Sequence, residues 1–189
     1  MPNLTDAYNW AIATCNAPDV GYAGGSAPGA VPASWRDMQP HDGLRYCDCS
    51  SFIWYALIAG GWDCVGEYGS WPFTTYTMPS VLPRLGWSLL DIYNDPWQAG
   101  DILLFPGDMD QGTGHTEMSY NGNILMGAHN SWLAFADQVS ISDYASSAGN
   151  PYTQLWRFTD SPSPGGSRVP VWLIKSSLQK KRKEVRRWP

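Results

Sequence analysis

Two cysteines one residue apart, Cys47 and Cys49, stand directly before a run of large apolar side chains in the stretch YCDCSSFIWYALIAGG. A cysteine becomes a nucleophile when its thiolate is stabilised, and the first turn of a helix does this with unpaired backbone N–H groups and the positive end of the dipole. Cys49 falls at that place, just ahead of SSFIWYAL, with Asp48 or Ser50 able to cap the helix. Cys47 lies on the approaching loop and reads as a packing residue, as do the remaining two of the four cysteines, Cys15 and Cys64. A disulfide framework does not suit a chain made in a reducing compartment, and one C-x-C with two distant single cysteines is a poor zinc pattern. The expected chemistry is nucleophilic catalysis by a thiol, with no metal and no organic cofactor.

A thiol needs a base, and the chain offers three histidines, His41, His115 and His129. His115 follows Gly114 at the start of a predicted strand, on a rigid element, and is the expected general base. The residue that orients its imidazole depends on hairpin register. With Asn121-Gly122-Asn123 as a three-residue loop, Tyr120 pairs with Ile124 and His115 lies opposite His129 on one face. With a two-residue turn at Asn121-Gly122, His115 lies opposite Ala128 and Asn130 joins that face instead. His129 is the expected third residue and Asn130 its alternative. Glu117 shares the face of His115 by strand alternation and is expected to look into solvent.

These residues require a helix and a set of strands to hold them. Leu4 to Thr14 has helical spacing with Thr5 or Asp6 as cap, GYAGGSAPGAVP reads as a surface loop, and Phe52 to Ala59 is apolar all round, as a fully buried helix is. Thr75 to Gly86 reads as a short helical segment broken by Pro79 and Pro83. Asp101 to Phe105, His115 to Tyr120, Ile124 to Asn130, Gln138 to Ser142 and Leu155 to Phe158 read as strands. Composition agrees with an α+β domain: 43% hydrophobic, 14% aromatic and only 15% charged residues, with 19 glycines and 15 prolines.

Charge divides the chain. Before Arg168 four basic residues face sixteen acidic ones, a balance of −12; from there on eight face one, a balance of +7. The acidic body excludes nucleic acid as a partner, whereas the tail has the charge to approach an anionic surface. The expected organisation is a domain over 1–160, a Pro/Gly/Ser linker over 161–170 (opening with SPSPGGS) and a basic tail over 171–189. MPNLTDAYNW has neither the basic start nor the apolar run of a secretory signal, so synthesis in the cytoplasm is expected.

The segments YCDCSSFIWYAL, AGDILLF, GHTEMSYNGN and ILMGAHNS, in this order and spacing, resemble the NlpC-type cysteine peptidase superfamily and within it the phage peptidoglycan amidase branch. The likeness runs from about Gly21 to Phe158. It implies a papain-like fold, a buried helix carrying the nucleophile packed on an antiparallel sheet, with Cys49 as nucleophile, His115 as base and a polar residue on the strand after the hairpin as orienter. Tyr22 matches a tyrosine that lies near the nucleophile in many relatives. The chain departs from the pattern at Gly127, where relatives often carry a histidine; here His129 follows two positions later.

The resemblance implies an endolysin that cuts an amide bond in bacterial peptidoglycan after release to the wall. The bond is either that between the muramic acid lactyl group and L-alanine or one next to D-glutamate in the stem peptide. Asp48 and Ser50, beside the nucleophile, and Trp35, Trp71 and Trp132, on loops, are the expected substrate contacts with Tyr22; most of the eleven tryptophans are expected in the core. The basic tail suits anionic wall polymers or a membrane surface. Two other classes use the same features: a Cys-His acyltransferase resembling transglutaminases, and a wall-binding module without catalysis.

Overall fold

The computed structural model describes residues 1–107, 114–143 and 152–159. Helix α1 (Leu4–Cys15) buries Leu4, Ala7, Ala11 and Cys15, one face at helical spacing. Its cap is Asn3, whose side-chain oxygen accepts the Thr5 N–H at 2.9 Å, rather than Thr5 or Asp6. Asp6 instead occupies the first turn, where a negative charge meets the helix dipole. Strand β1 (Val20–Tyr22) runs parallel to β2 (Arg45–Cys47) and sets Tyr22 beside Cys47. Gly21 and Tyr22 therefore belong to a strand, not to the surface loop that the Gly-rich composition suggests.

Helix α2 (Cys49–Ala59) follows at once, with Phe52, Ile53, Trp54, Ala56 and Leu57 buried. It ends at Gly60, where a β-carbon would lie 2.8 Å from the Asn3 carbonyl oxygen and 2.9 Å from Cβ of Ala7. The glycine lets the start of α1 close onto the end of α2, and the Asn3 N–H donates to the Gly60 carbonyl at 2.7 Å. Single turns α3 (Cys64–Glu67) and α4 (Met78–Val81) lead into a 3-10 turn over Leu82–Leu85 that stops at Gly86, at φ 86°.

The rest is a sheet. Strands β3 (Trp87–Leu90), β4 (Ile102–Phe105), β5 (His115–Asn121), β6 (Ile124–Ala128), β7 (Val139–Ser142) and β8 (Gln154–Phe158) form one antiparallel sheet in the order β3-β8-β4-β5-β6-β7. A single turn, α5 (Phe135–Gln138), precedes β7. The fold is α+β with α2 buried against the sheet. The edge strand β3 escapes the sequence because its four residues do not alternate in burial in step with their polarity, and Leu89 is exposed.

Both faces of the sheet are covered. Ile102, Leu104, Met118, Met126 and Trp156 pack beneath α1 and α2, while Leu103, Leu125 and Leu155 join Ile92 and Tyr152 in a smaller cluster on the other face. Coverage on two sides explains why β4 is a continuous apolar run without alternation. Residues 161–170 and 171–189 lie outside the described residues.

Candidate active site

The site begins at the first turn of α2. Asp48 is the helix cap: its Oδ1 accepts the Ser51 N–H at 2.7 Å and the Ser50 hydroxyl at 3.0 Å, and the Ser51 hydroxyl accepts the Asp48 N–H at 2.9 Å. Such a reciprocal cap is worth about 1 kcal/mol and fixes where the helix starts. The other oxygen of Asp48 binds Arg36 Nη1 at 2.6 Å, and Arg36 Nη2 donates to the carbonyls of Pro72 and Phe73. One guanidinium thus joins the cap of α2 to the turn bearing Trp35 and to the segment after Trp71.

Cys49, the first residue of α2, is buried where α2 packs against β5, the strand that carries His115 and Thr116. Burial, then the Asp48 carboxylate, push the thiol up to about 12; the N–H groups of Thr116 and Ser50 and the Arg36 charge pull the other way and lose. The helix start alone predicts a stabilised thiolate, but desolvation outweighs it, so the thiol rests protonated. Tyr22 lies close enough to Cys49 and Asp48 for their charges to raise its phenol, after burial as the main cause.

The hairpin delivers the second half. Asn121 pairs with Ile124 across a two-residue turn at Gly122-Asn123, and a bulge between Ser119 and Asn121 takes up one residue, so that Ser119 pairs with Leu125 and Met118 with Met126. Continued along the strands, this register sets Glu117 across from Gly127 and His115 across from His129. A three-residue loop would produce the same facing pairs. The turn is one residue shorter than that, and the bulge compensates.

His115, Glu117 and His129 gather on this face. His129 Nδ1 is 2.9 Å from Glu117 Oε1, and His115 Nε2 is 3.8 Å from Glu117 Oε2. Glu117 is wholly buried, contrary to the expectation of solvent, because Gly127 across the hairpin leaves room for its side chain and Tyr152 donates its hydroxyl to Oε2. His129 Nε2 lies 3.1 Å from the Ser140 hydroxyl and 3.3 Å from that of Ser142. Burial lowers the pKa of His115 and the charge of His129 adds to this, while the carboxylates of Glu117 and Asp48 oppose it.

Among the described residues, the donor atoms of His115, Glu117 and His129 lie within 4.8 Å of one another, close enough to share a metal ion. The Glu117 carboxyl and the His129 ring meet at ion-pair distance, 2.9 Å, without the alignment of a hydrogen bond.

Of the other expected residues, Ser50 is buried with its hydroxyl turned to Asp48, and both oxygens of Asp48 are engaged within the protein, so the two shape the helix start. Trp35 stacks flat on His41, ring centroids 4.5 Å apart, and His41 is tied to Asp37 at 2.9 Å. Trp71 and Trp132 are exposed. Asn130 accepts the Trp132 N–H at 2.9 Å, a local turn contact at the end of β6. Cys15, Cys47 and Cys64 are buried in the core. Sequence reasoning missed Arg36 and Tyr152, which reach the site from distant segments and carry no local signal.

A sequence model of bacteriophage peptidoglycan hydrolases matches residues 30–164, most of the chain. The chain is also similar to a protein described as a lysin from Pneumococcus phage Dp-1, at 28% identity over 142 residues, covering 71% of this chain and 45% of that one. It thus spans about half the length of this relative. A capped helix bearing a cysteine against a histidine strand, in a chain that matches this family across the strands as well as the helix, allows one conclusion: the chain belongs to the bacteriophage peptidoglycan hydrolases.

Proposed function

We propose that the chain is the catalytic part of a phage endolysin of papain-like, NlpC-type fold, which hydrolyses an amide bond of peptidoglycan through a thioester on Cys49. The observation that carries this reading is the packing of α2, which opens at Cys49, against β5, which opens at His115. It unites a nucleophile and a base that lie far apart in sequence.

In this mechanism His115 takes the thiol proton as the sulfur attacks the amide carbonyl, which agrees with a thiol pushed up by burial and an imidazole whose pKa burial lowers. Backbone N–H groups opening α2 are the donors for the oxyanion. The C–N bond breaks, His115 returns its proton to the leaving amine, and a water molecule activated by His115 hydrolyses the thioester and restores the thiol. Tyr22, Trp35, Trp71 and Trp132 contact the glycan or stem peptide, and the basic run from Arg168 attracts anionic wall polymers or the membrane surface. The bond is either that between the muramic acid lactyl group and L-alanine or one next to D-glutamate in the stem peptide.

The test is mass spectrometry of fragments released from purified peptidoglycans of several chemotypes by the wild-type protein and by Cys49→Ala. Soluble fragments from the wild type alone are expected, and their masses name the bond. Equal release by Cys49→Ala, or none by either protein, overturns the reading.

A further inference from the structure

We propose that Glu117 is the residue that positions His115, and that His129 acts on Glu117 rather than on His115. The inference rests on the Cys49 and His115 reading above and deepens it.

Glu117 stands between the two histidines. Its Oε1 takes the short contact, 2.9 Å to Nδ1 of His129, and its Oε2 faces Nε2 of His115 at 3.8 Å. His129 is therefore joined to the carboxylate, and the carboxylate is what His115 meets. His129 is nearly inaccessible at 1% side-chain exposure and Glu117 at 0%, whereas His115 retains 14%. Only the imidazole of His115 opens toward the surface, so the polar chain runs from the interior to the base.

The chain draws on β5, β7 and the segments just after β6 and just before β8. Ser140 and Ser142 on β7 hold Nε2 of His129, the residue after β6, His129 meets Glu117 on β5, and Tyr152, ahead of β8, donates to the other oxygen of Glu117. The Tyr152 ring also lies 6.0 Å from that of His115, at 27° to it, limiting how the imidazole can tilt. A carboxylate without water costs several kcal/mol unless donors surround it, so each of these contacts offsets a burial the fold has no packing reason to incur. A Leu at 117 would serve the neighbouring Leu103 and Leu125 better than a carboxylate does.

Gly127 completes the case. A β-carbon there would lie 2.8 Å from Cγ and 3.2 Å from Oε1 of Glu117. A side chain on β6 at this position is incompatible with the carboxylate arriving from β5, so the polar group facing His115 comes from its own strand. Nε2 is the ring nitrogen of His115 that is turned to Glu117, at 3.8 Å. The carboxylate then stabilises the imidazolium formed as the thiol is deprotonated.

The test measures initial rates on fluorescently labelled peptidoglycan for Glu117→Gln, His129→Asn and their double variant, with folding checked by thermal denaturation. Glu117→Gln keeps the shape, and kcat should fall about a hundredfold with KM within a few-fold. The double variant should lose no more than Glu117→Gln alone, because His129 works through that carboxylate. Unchanged kcat in Glu117→Gln, or losses that multiply in the double variant, overturns the proposal. If Glu117→Gln does not fold, Tyr152→Phe decides: kcat several-fold lower at unchanged KM supports the role, and unchanged kcat overturns it. Cys49→Ala in the same assay separates the two levels. Its full activity would sink the thiol mechanism itself, whereas a dead Cys49→Ala beside an active Glu117→Gln would sink only the role of Glu117.

Discussion

Glu117 and Gly127 share one space across the β5–β6 hairpin: the β-carbon that Gly127 lacks would stand 2.8 Å from Cγ of Glu117. Gly127→Ala should therefore push the carboxylate from its place between the histidines and overpack a closed site. The expected cost is about 1–3 kcal/mol of stability together with a loss of kcat. Urea unfolding and lysis rates on the same preparation check both; a variant as stable and active as wild type would contradict this packing.

Cys49 in the free enzyme should behave as a protonated thiol. With its pKa pushed up to about 12 by burial and by Asp48, iodoacetamide at neutral pH should alkylate it more slowly than the same cysteine in the urea-unfolded chain. Peptide mapping after timed alkylation reads this directly. Rapid labelling of the folded protein at pH 6 would point to a preformed thiolate–imidazolium pair instead.

The base should stay active in mild acid. The proposed mechanism needs neutral His115, and burial lowers its pKa from the usual 6.5, so acid must go below that value to protonate it. The acid limb of kcat/KM for fragment release is expected below pH 6.5. A limb above pH 6.5 would mean that the opposing Glu117 and Asp48 carboxylates win over desolvation.

Added zinc should inhibit. His115, Glu117 and His129 offer donor atoms within 4.8 Å of one another, a set that suits a divalent transition metal and would take the base out of use. Lysis should fall with zinc and recover with EDTA, whereas EDTA alone should leave activity unchanged. Loss of activity in EDTA alone would assign the metal a constructive role.

Arg36 should matter for stability as well as for rate. It joins the cap of α2 to the carbonyls of Pro72 and Phe73, and its removal leaves Asp48 without its 2.6 Å partner. Arg36→Ala should cost about 2 kcal/mol, the scale of a hydrogen bond to a charged group. Denaturant titration measures it, and an unchanged midpoint would rule out the tie.

How much of this the sequence determined can be argued residue by residue. Local signals were legible in part: the apolar run after Cys49 specifies a buried helix, Asp48 caps it, and the Asn-Gly-Asn stretch marks the hairpin that carries His115, though the turn itself falls at Gly122 and Asn123. Hydrophobic period and turn chemistry act over a few residues, and so does the order of motifs by which the chain resembles its family. The start of α1 shows the limit even there, since Asn3 wins the cap from Thr5 and Asp6 as its own N–H binds the Gly60 carbonyl.

Only the tertiary structure decided what surrounds the two reactive groups. Strand alternation puts Glu117 on the face of His115 but says nothing of whether that face is wet. The covering residue Tyr152 and the vacancy at Gly127 come from other segments of the chain, and they make the position dry. Likewise, a helix start favours a thiolate, but how deeply it is buried is set by everything packed against it, and desolvation outweighs the dipole at Cys49. Charge and hydrogen bonding at a site are sums over neighbours in space, and neighbours in space are what a one-dimensional pattern leaves open.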